Sequence, residues 1–233
     1  MPPVAVLLSG GLDSAVLLAE EAARPGAQPI DVQPIYVSVG LAWEASERDA
    51  VRHFLAHGHR SASVLPLVEL TVDMTDLYPA AHWALNGTPP AYHTPDEDVY
   101  LPGRNIVLLG KAGILCGMRG VRRLVIGTLD RNPFPDATPD FRGAMAHALS
   151  LGLDSPLEIQ APYAGSSKID VIRRGQALGV RLELTLSCMS PLPNGPAFPR
   201  HCGVCSKCRE RHEAFVKAGV PDTTDYAART FTG

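Results

Sequence analysis

Five consecutive apolar residues, Val4-Ala5-Val6-Leu7-Leu8, run directly into Ser9-Gly10-Gly11-Leu12-Asp13-Ser14 and then into a helix-forming stretch at 15–22. An apolar run without alternation is the pattern of a strand buried on both faces, as in a parallel sheet covered by helices. Pro25-Gly26 should stop the first helix. The theme then repeats. A second strand is expected at 32–37, a helix at 42–56 with Trp43, Val51 and Leu55 at helical spacing, and a third strand at 63–68. This β-α-β-α-β order predicts an α/β fold, a doubly wound, mostly parallel, Rossmann-like sheet with right-handed crossovers.

Residues 73–103 are irregular and rich in Pro and His, which for so long a segment suggests a functional lid. Beyond it the pattern predicts a helix at 105–118, a strand at 123–127, a helix at 139–151 and a strand at 157–159. Ser167-Lys168-Ile169-Asp170 has the form of a capping box opening another helix that ends near Gly179. A short helix is expected around 210–217. We therefore expect an α/β domain over 1–180 and a small C-terminal metal-binding segment over 181–233 packed on it. No internal repeat is visible.

The loop after the first strand sits where doubly wound folds bind ligands. Gly10 and Gly11 let backbone N–H groups approach phosphate oxygens, and the helix that follows adds its positive end. The nucleotide-binding set is read as Leu8, Ser9, Gly10, Gly11, Leu12, Asp13 and Ser14, the serines donating hydroxyls and Asp13 positioned to hold Mg²⁺. The loop is neither G-x-x-x-x-G-K-[ST] nor G-x-G-x-x-G. It resembles the Ser-Gly-Gly-x-Asp-Ser (PP-) loop of the ATP pyrophosphatases, which cleave ATP to AMP and pyrophosphate while adenylating an acceptor oxygen.

Cys202-Gly203-Val204-Cys205-Ser206-Lys207-Cys208 is a C-x₂-C-x₂-C run, and Cys188 precedes it. The N-terminus lacks the basic region and cleavage site of a signal peptide, so a cytoplasmic protein is expected, in which clustered cysteines suggest metal rather than disulfides. Four thiolates satisfy a tetrahedral Zn²⁺ with no open position, a structural site. An iron–sulfur cluster is the rival. His201 and His212 are substitute ligands, His201 being more simply a neighbour of the site or solvated. Cys116 lies in a helical apolar pattern and reads as core. Charge narrows the partners: 21 Lys and Arg against 24 Asp and Glu give a formal charge of −3, unlike a protein that wraps nucleic acid on a broad basic face. No apolar stretch approaches the roughly 20 residues needed to span a bilayer.

Taken in order, the Ser9 loop, Leu101-Pro102-Gly103-Arg104-Asn105, Gly127-Thr128-Leu129-Asp130 with Phe134-Pro135-Asp136, Ser167-Lys168, and Ser187-Cys188 before His201-Cys202-Gly203 resemble the 7-cyano-7-deazaguanine synthase family over nearly the whole chain. The resemblance implies an ATP-dependent carbon–nitrogen ligase of queuosine biosynthesis, a homodimer with a zinc-bearing tail. It would convert 7-carboxy-7-deazaguanine and ammonia to the nitrile. Its implied catalytic residues are Asp13, Arg104, Lys168 and Asp130, with Mg²⁺ accompanying ATP and zinc on Cys188, Cys202, Cys205 and Cys208. At 233 residues there is no room for a glutaminase domain, so free ammonia is the expected donor. Two segments depart from the family. Typical members carry a Tyr-Gly-Gln-Arg-His-like segment where this chain has Tyr36-Val37-Ser38-Val39-Gly40-Leu41-Ala42-Trp43-Glu44, and Pro-Asp-Cys-Arg where it has Pro135-Asp136-Ala137-Thr138. The alternative reading is a divergent ATP pyrophosphatase that adenylates another small molecule, a tRNA base or a protein.

Overall fold

The computed structural model describes residues 3–24, 30–58, 61–130, 132–194, 197–229 and 231. Five strands, β1 (Val4–Leu7), β2 (Val32–Ser38), β3 (Val68–Thr71), β4 (Arg123–Val125) and β5 (Glu158–Gln160), form one sheet in the order β3-β2-β1-β4-β5. Every pairing is parallel. The order reverses between β1 and β4, and the carboxyl ends of those two strands frame the crevice where such sheets take ligands.

Side-chain alternation divides the interior into two cores. Ala5, Leu7, Ile35, Val37 and Leu124 face one, which is closed by helix α4 (Arg104–Met118) with α5 (Pro139–Leu153) behind it. Val4, Val6, Leu8, Val32, Tyr36 and Val125 face the other, closed by α1 (Leu12–Ala22) and α6 (Lys168–Ala177). The short α2 (Glu44–His53) follows β2, and one π-helical turn at Phe54–Gly58 extends it. Cys116 on α4 is 1% exposed, and burial pushes its thiol up to about 12, leaving it an unreactive core residue.

Two expected elements move. The third strand is β3 at Val68–Thr71, five residues past its expected start; Val64 makes only an isolated bridge to Val32. Pro66 has no N–H to give the ladder, so pairing resumes beyond it on this edge strand. The Gln33 side-chain amide donates to the Pro66 carbonyl at 2.7 Å across the gap. The last helix, α7 (Ser206–Ala218), begins four residues before the expected 210, with Cys205 as its N-cap residue. The capping box opening α6 forms as read: the Ser167 side chain accepts from the Asp170 N–H, and Asp170 accepts from the Ser167 N–H at 2.9 Å. The expected stop at Pro25-Gly26 lies outside the described residues.

The segment 73–103 carries the short helix α3 (Trp83–Asn86) and single 3₁₀ turns. It docks at several places. Trp83 stacks on Trp43 with ring centroids 5.6 Å apart, and the Ala42 N–H donates to Ala84 O at 2.9 Å. Farther on, Ala91 forms a bridge with Cys205, and Lys207 donates to Asp96 at 2.9 Å. Helix α7 joins both cores, Cys208 facing the α4 side and Ala214, Phe215 and Ala218 the α1–α6 side. Arg211, 1% exposed, pins it by donating to Thr224 Oγ1, Thr185 Oγ1, Ser187 Oγ and Leu182 O at 2.8, 2.8, 3.1 and 2.7 Å. A buried guanidinium is tolerable only when its donors are satisfied in this way. No helix among the described residues is long and apolar enough to cross a membrane.

Candidate active site

The loop between β1 and α1 is held by its own short side chains. The Ser9 N–H donates to Ser14 Oγ at 3.2 Å, the Gly11 N–H to Ser9 Oγ at 3.3 Å, and the Ser14 hydroxyl to Gly11 O at 3.1 Å. Gly10 has φ +77°, which L side chains adopt rarely, and a Cβ there would lie 3.2 Å from Glu47 O and from Val51 Cγ2. Gly127, two residues past β4, is needed for the opposite reason. A Cβ there would sit 3.2 Å from Asp13 C and Ser14 N, so the chain leaving β4 packs tightly against the backbone at the start of α1.

A cavity of about 260 Å³ opens from this loop across the carboxyl ends of β1, β2 and β4. Ser9, Gly11, Asp13 and Ser14 form one wall. Leu7, Ile35, Val37, Leu108, Ile126 and Phe134 make an apolar slot, and Tyr36, Glu47, Arg104, Asn105, Thr128 and Asn132 place polar groups around it. The segment 73–103 contributes no residue to this wall. Neither does Asp130, which is exposed; the lining passes from Thr128 to Asn132.

Asp13, in the first turn of α1, is the charged group of the loop. Its Oδ2 is 3.4 Å from Lys168 Nζ, while its Oδ1 is buried without a partner. Burial raises the Asp13 pKa, opposed by Lys168. Burial alone would lower Lys168, but Asp13 and Glu210 hold it above the ordinary lysine range. Glu210, on α7, lies 2.5 Å from Lys168 Nζ and 2.8 Å from Lys207 Nζ. Burial works against its ionisation, yet the two ammonium groups hold it down at about 2. Asp13 and Arg104 both line the crevice, and Lys168, outside its lining, is paired with Asp13.

Arg104 reaches the wall because the start of α4 is anchored. The Asn105 N–H and side-chain amide donate to the Asp136 carboxylate at 3.1 and 3.2 Å. Arg104 Nε is buried and has no partner, a donor available to a ligand. The two segments that depart from the family pattern have local duties. Ser38 Oγ donates to Glu44 Oε2 at 2.5 Å, and the Val39 N–H donates to Glu44 Oε1 at 2.8 Å. The Thr138 hydroxyl caps α5 by accepting from the Phe141 N–H at 3.2 Å.

Sequence reading overlooked Glu47 and Glu210. Glu47 accepts from Tyr36 OH at 3.2 Å and from Trp43 Nε1–H at 3.1 Å. Burial raises its pKa, with Arg104 opposing. Burial and the Glu47 and Glu44 carboxylates push the Tyr36 phenol above its ordinary value, so it remains a donor. Glu47 lies four residues after Trp43, one helical turn, and that spacing was the available signal.

The four cysteines converge. Sulfur separations are 4.0 Å for Cys188–Cys205, 3.9 Å for Cys202–Cys208 and 3.5 Å for Cys205–Cys208, all four Sγ lying within 4.8 Å of one another. A tetrahedral ion with Zn–S bonds of about 2.3 Å demands sulfur separations of about 3.8 Å. Backbone N–H groups of Ser190 and Cys202 point at Cys188 Sγ at 3.3 Å, and that of Gly203 at Cys208 Sγ at 3.4 Å, as expected around thiolates. The donor set fits a metal. His201 and His212 are not part of it. Of the two readings of His201, a neighbour of the site or a solvated side chain, the structure has the first: it is buried, and its Nε2 accepts from the N–H of Ser187, next to Cys188, at 3.1 Å. His212 pairs with Asp222 at 3.0 Å and stacks on Phe231.

A parallel sheet with a glycine-rich loop at its switch point, a carboxylate–ammonium pair at the loop and a cavity beside it define a protein of the doubly wound class with its ligand crevice at the switch point. The family model for "Queuosine biosynthesis protein QueC" matches residues 4–219, and the chain belongs to that family. It is similar to the 7-cyano-7-deazaguanine synthases of Azoarcus sp. (37% identical, covering 98% of this chain and 99% of that one) and Methanoculleus marisnigri (32%, 97% and 99%). The one from Frankia casuarinae is 34% identical, with 95% and 92% covered.

Proposed function

We propose that the chain is an ATP-dependent ligase that converts 7-carboxy-7-deazaguanine and ammonia to 7-cyano-7-deazaguanine, releasing AMP and diphosphate. The observation that carries this reading is the Asp13–Lys168 pair, which sits beneath the loop and beside a cavity with a ring-sized apolar slot. A carboxylate is a poor electrophile because oxide would have to leave. Its oxygen instead attacks the α-phosphorus of ATP, the bond to the bridging oxygen breaks, and pyrophosphate departs. Ammonia adds to the acyl carbon and loses a proton as AMP leaves, giving the amide. Attack by the amide oxygen on a second ATP repeats the exchange, and loss of AMP and the remaining nitrogen-bound protons leaves the nitrile.

Negative charge grows on the departing pyrophosphate, so aligned donors and cations lower the barrier. The loop N–H groups, Arg104 and Lys168 serve this, and Glu47 offers acceptor capacity for the amino N–H groups of a purine-like ring. Mg²⁺ at the unpartnered Asp13 oxygen would supply further charge neutralisation. Zinc on the four cysteines is structural, one per chain. Free ammonia is the donor, and the working unit is a homodimer.

Mass spectrometry after incubation with 7-carboxy-7-deazaguanine, Mg·ATP and ammonium should find the nitrile, and glutamine should not replace ammonium. AMP formation without that nitrile would favour adenylation of another acceptor. That second reading draws support from Ser38 and Thr138, which stand at departures from the family pattern and are engaged within the chain. The loop itself is tested by Gly127→Ala. The added Cβ presses on backbone that cannot yield cheaply. kcat/KM for ATP should fall about tenfold, as small misplacements at reacting centres do. Unchanged steady-state kinetics would show that the close approach is not used.

A further inference from the structure

Helix α7 carries part of the four-cysteine centre and, through Glu210, also touches Lys168, the partner of Asp13 in the loop. Cys205 caps it, Cys208 lies in its first turn, and Glu210 follows two residues later. From Glu210 an alternating line of charge runs both ways. Its Oε1 is 2.5 Å from Lys168 Nζ, which is 3.4 Å from Asp13 Oδ2; its Oε2 is 2.8 Å from Lys207 Nζ, which is 2.9 Å from Asp96 Oδ1. The side chains of Asp13, Lys168 and Glu210 are 24%, 17% and 27% exposed, so this is not a solvent-screened surface pair.

A lysine ammonium has three N–H donors on a flexible four-carbon stem. Glu210 and Asp13 take two, and the third remains for a phosphate oxygen. The closer partner is Glu210. Without it the ammonium would settle on Asp13 and cover the oxygens that a nucleotide and its cation need. The carboxylate that prevents this is placed by the turn of helix that the cysteines fix.

We infer that Glu210 is a positioning residue that holds Lys168 in place for the triphosphate, and that through it metal binding at the cysteines and nucleotide binding at the loop strengthen each other. The inference rests on the ATP reading above. Coupling of this kind is reciprocal: whatever factor the metal adds to nucleotide affinity, the nucleotide adds to metal affinity.

The test uses the zinc-loaded full chain and an ATP analogue with a methylene group between the α and β phosphorus, which binds but cannot be cleaved. In equilibrium competition with a zinc chelator, the analogue should tighten zinc binding by wild type about fivefold or more, within the usual range of coupled sites. Glu210→Gln keeps the shape and a hydrogen bond but not the charge. It should keep its zinc and melting temperature, lose the nucleotide effect on zinc affinity, and show a tenfold or larger fall in kcat for AMP release, about the loss of one charged contact. Wild-type protein that binds the analogue with no change in zinc affinity overturns the inference without any variant. So does Glu210→Gln with wild-type kcat and an intact nucleotide effect. Wild-type protein that binds no analogue at all overturns the ATP reading and this inference with it.

Discussion

Asp13→Asn should lower the rate of AMP and pyrophosphate release at least about a hundredfold, the scale of losing one preorganised charge at a reacting centre. The fold should not suffer. Lys168 keeps its nearer partner, Glu210, so no ammonium is stranded, and the oxygen that changes to an amide on one side is the one already without a partner on the other. Replacing a partly buried carboxylate by its neutral isostere also removes a desolvation cost, the same cost that raises the Asp13 pKa. Thermal unfolding within about 2 °C of wild type is therefore expected. The pairing of the two readouts matters. Lost turnover with an intact melting curve assigns Asp13 to chemistry, whereas retained turnover removes the loop from the mechanism altogether.

The parts of this architecture that were legible in the sequence are those whose determinants are contiguous. The apolar run before Ser9, the glycines at 10 and 11 and the capping box at Ser167 and Asp170 each act within a few residues of chain, so pattern sufficed. The cysteine cluster was readable because C-x₂-C-x₂-C is itself a local pattern that brings thiols together, as the structure does. What escaped notice depends on packing between distant segments. Glu210 stands in the charged run Lys207-Cys208-Arg209-Glu210-Arg211, and nothing local says that it would meet Lys168 while Arg211 turned inward to be 1% exposed. That sorting is done by the contact between α6 and α7. Glu47 looked like one acid among several on α2 until Tyr36 and Trp43 closed on it. The β3 displacement has a local cause that was visible, Pro66, but its consequence depended on which edge of the sheet the strand occupied. Asp130 was singled out by position in a motif, and the backbone turn put its neighbours Thr128 and Asn132 on the cavity instead.

Loss of the metal centre should have the largest effect on stability. Between the 3₁₀ turn at Leu182–Leu184 and the start of α7 at Ser206, the described residues form no helix or strand, only isolated bridges such as Leu192–Arg200 and His201–Tyr226. Such a segment cannot repay its ordering entropy from backbone pairing alone. A metal held by the four converging sulfurs would supply what is missing, because metal binding to a site absent from the unfolded chain is folding free energy. Cys205→Ser removes a ligand that is also the N-cap residue of α7, and releasing that turn loosens Arg211 from Thr185, Ser187 and Thr224. An unpaired buried guanidinium and a lost metal are each among the few causes of very large destabilisation, so at least about 4 kcal/mol is expected. For a chain of this size that is a fall of roughly 8–16 °C in melting temperature. Cys116→Ala is the control: it alters a buried cysteine outside the cluster and should leave metal content unchanged at about one zinc per chain. Calorimetry with elemental analysis decides the matter. A Cys205→Ser protein that melts with wild type would show that the cysteines are not what holds this segment, and iron in place of zinc would replace the four-thiolate zinc site with a cluster.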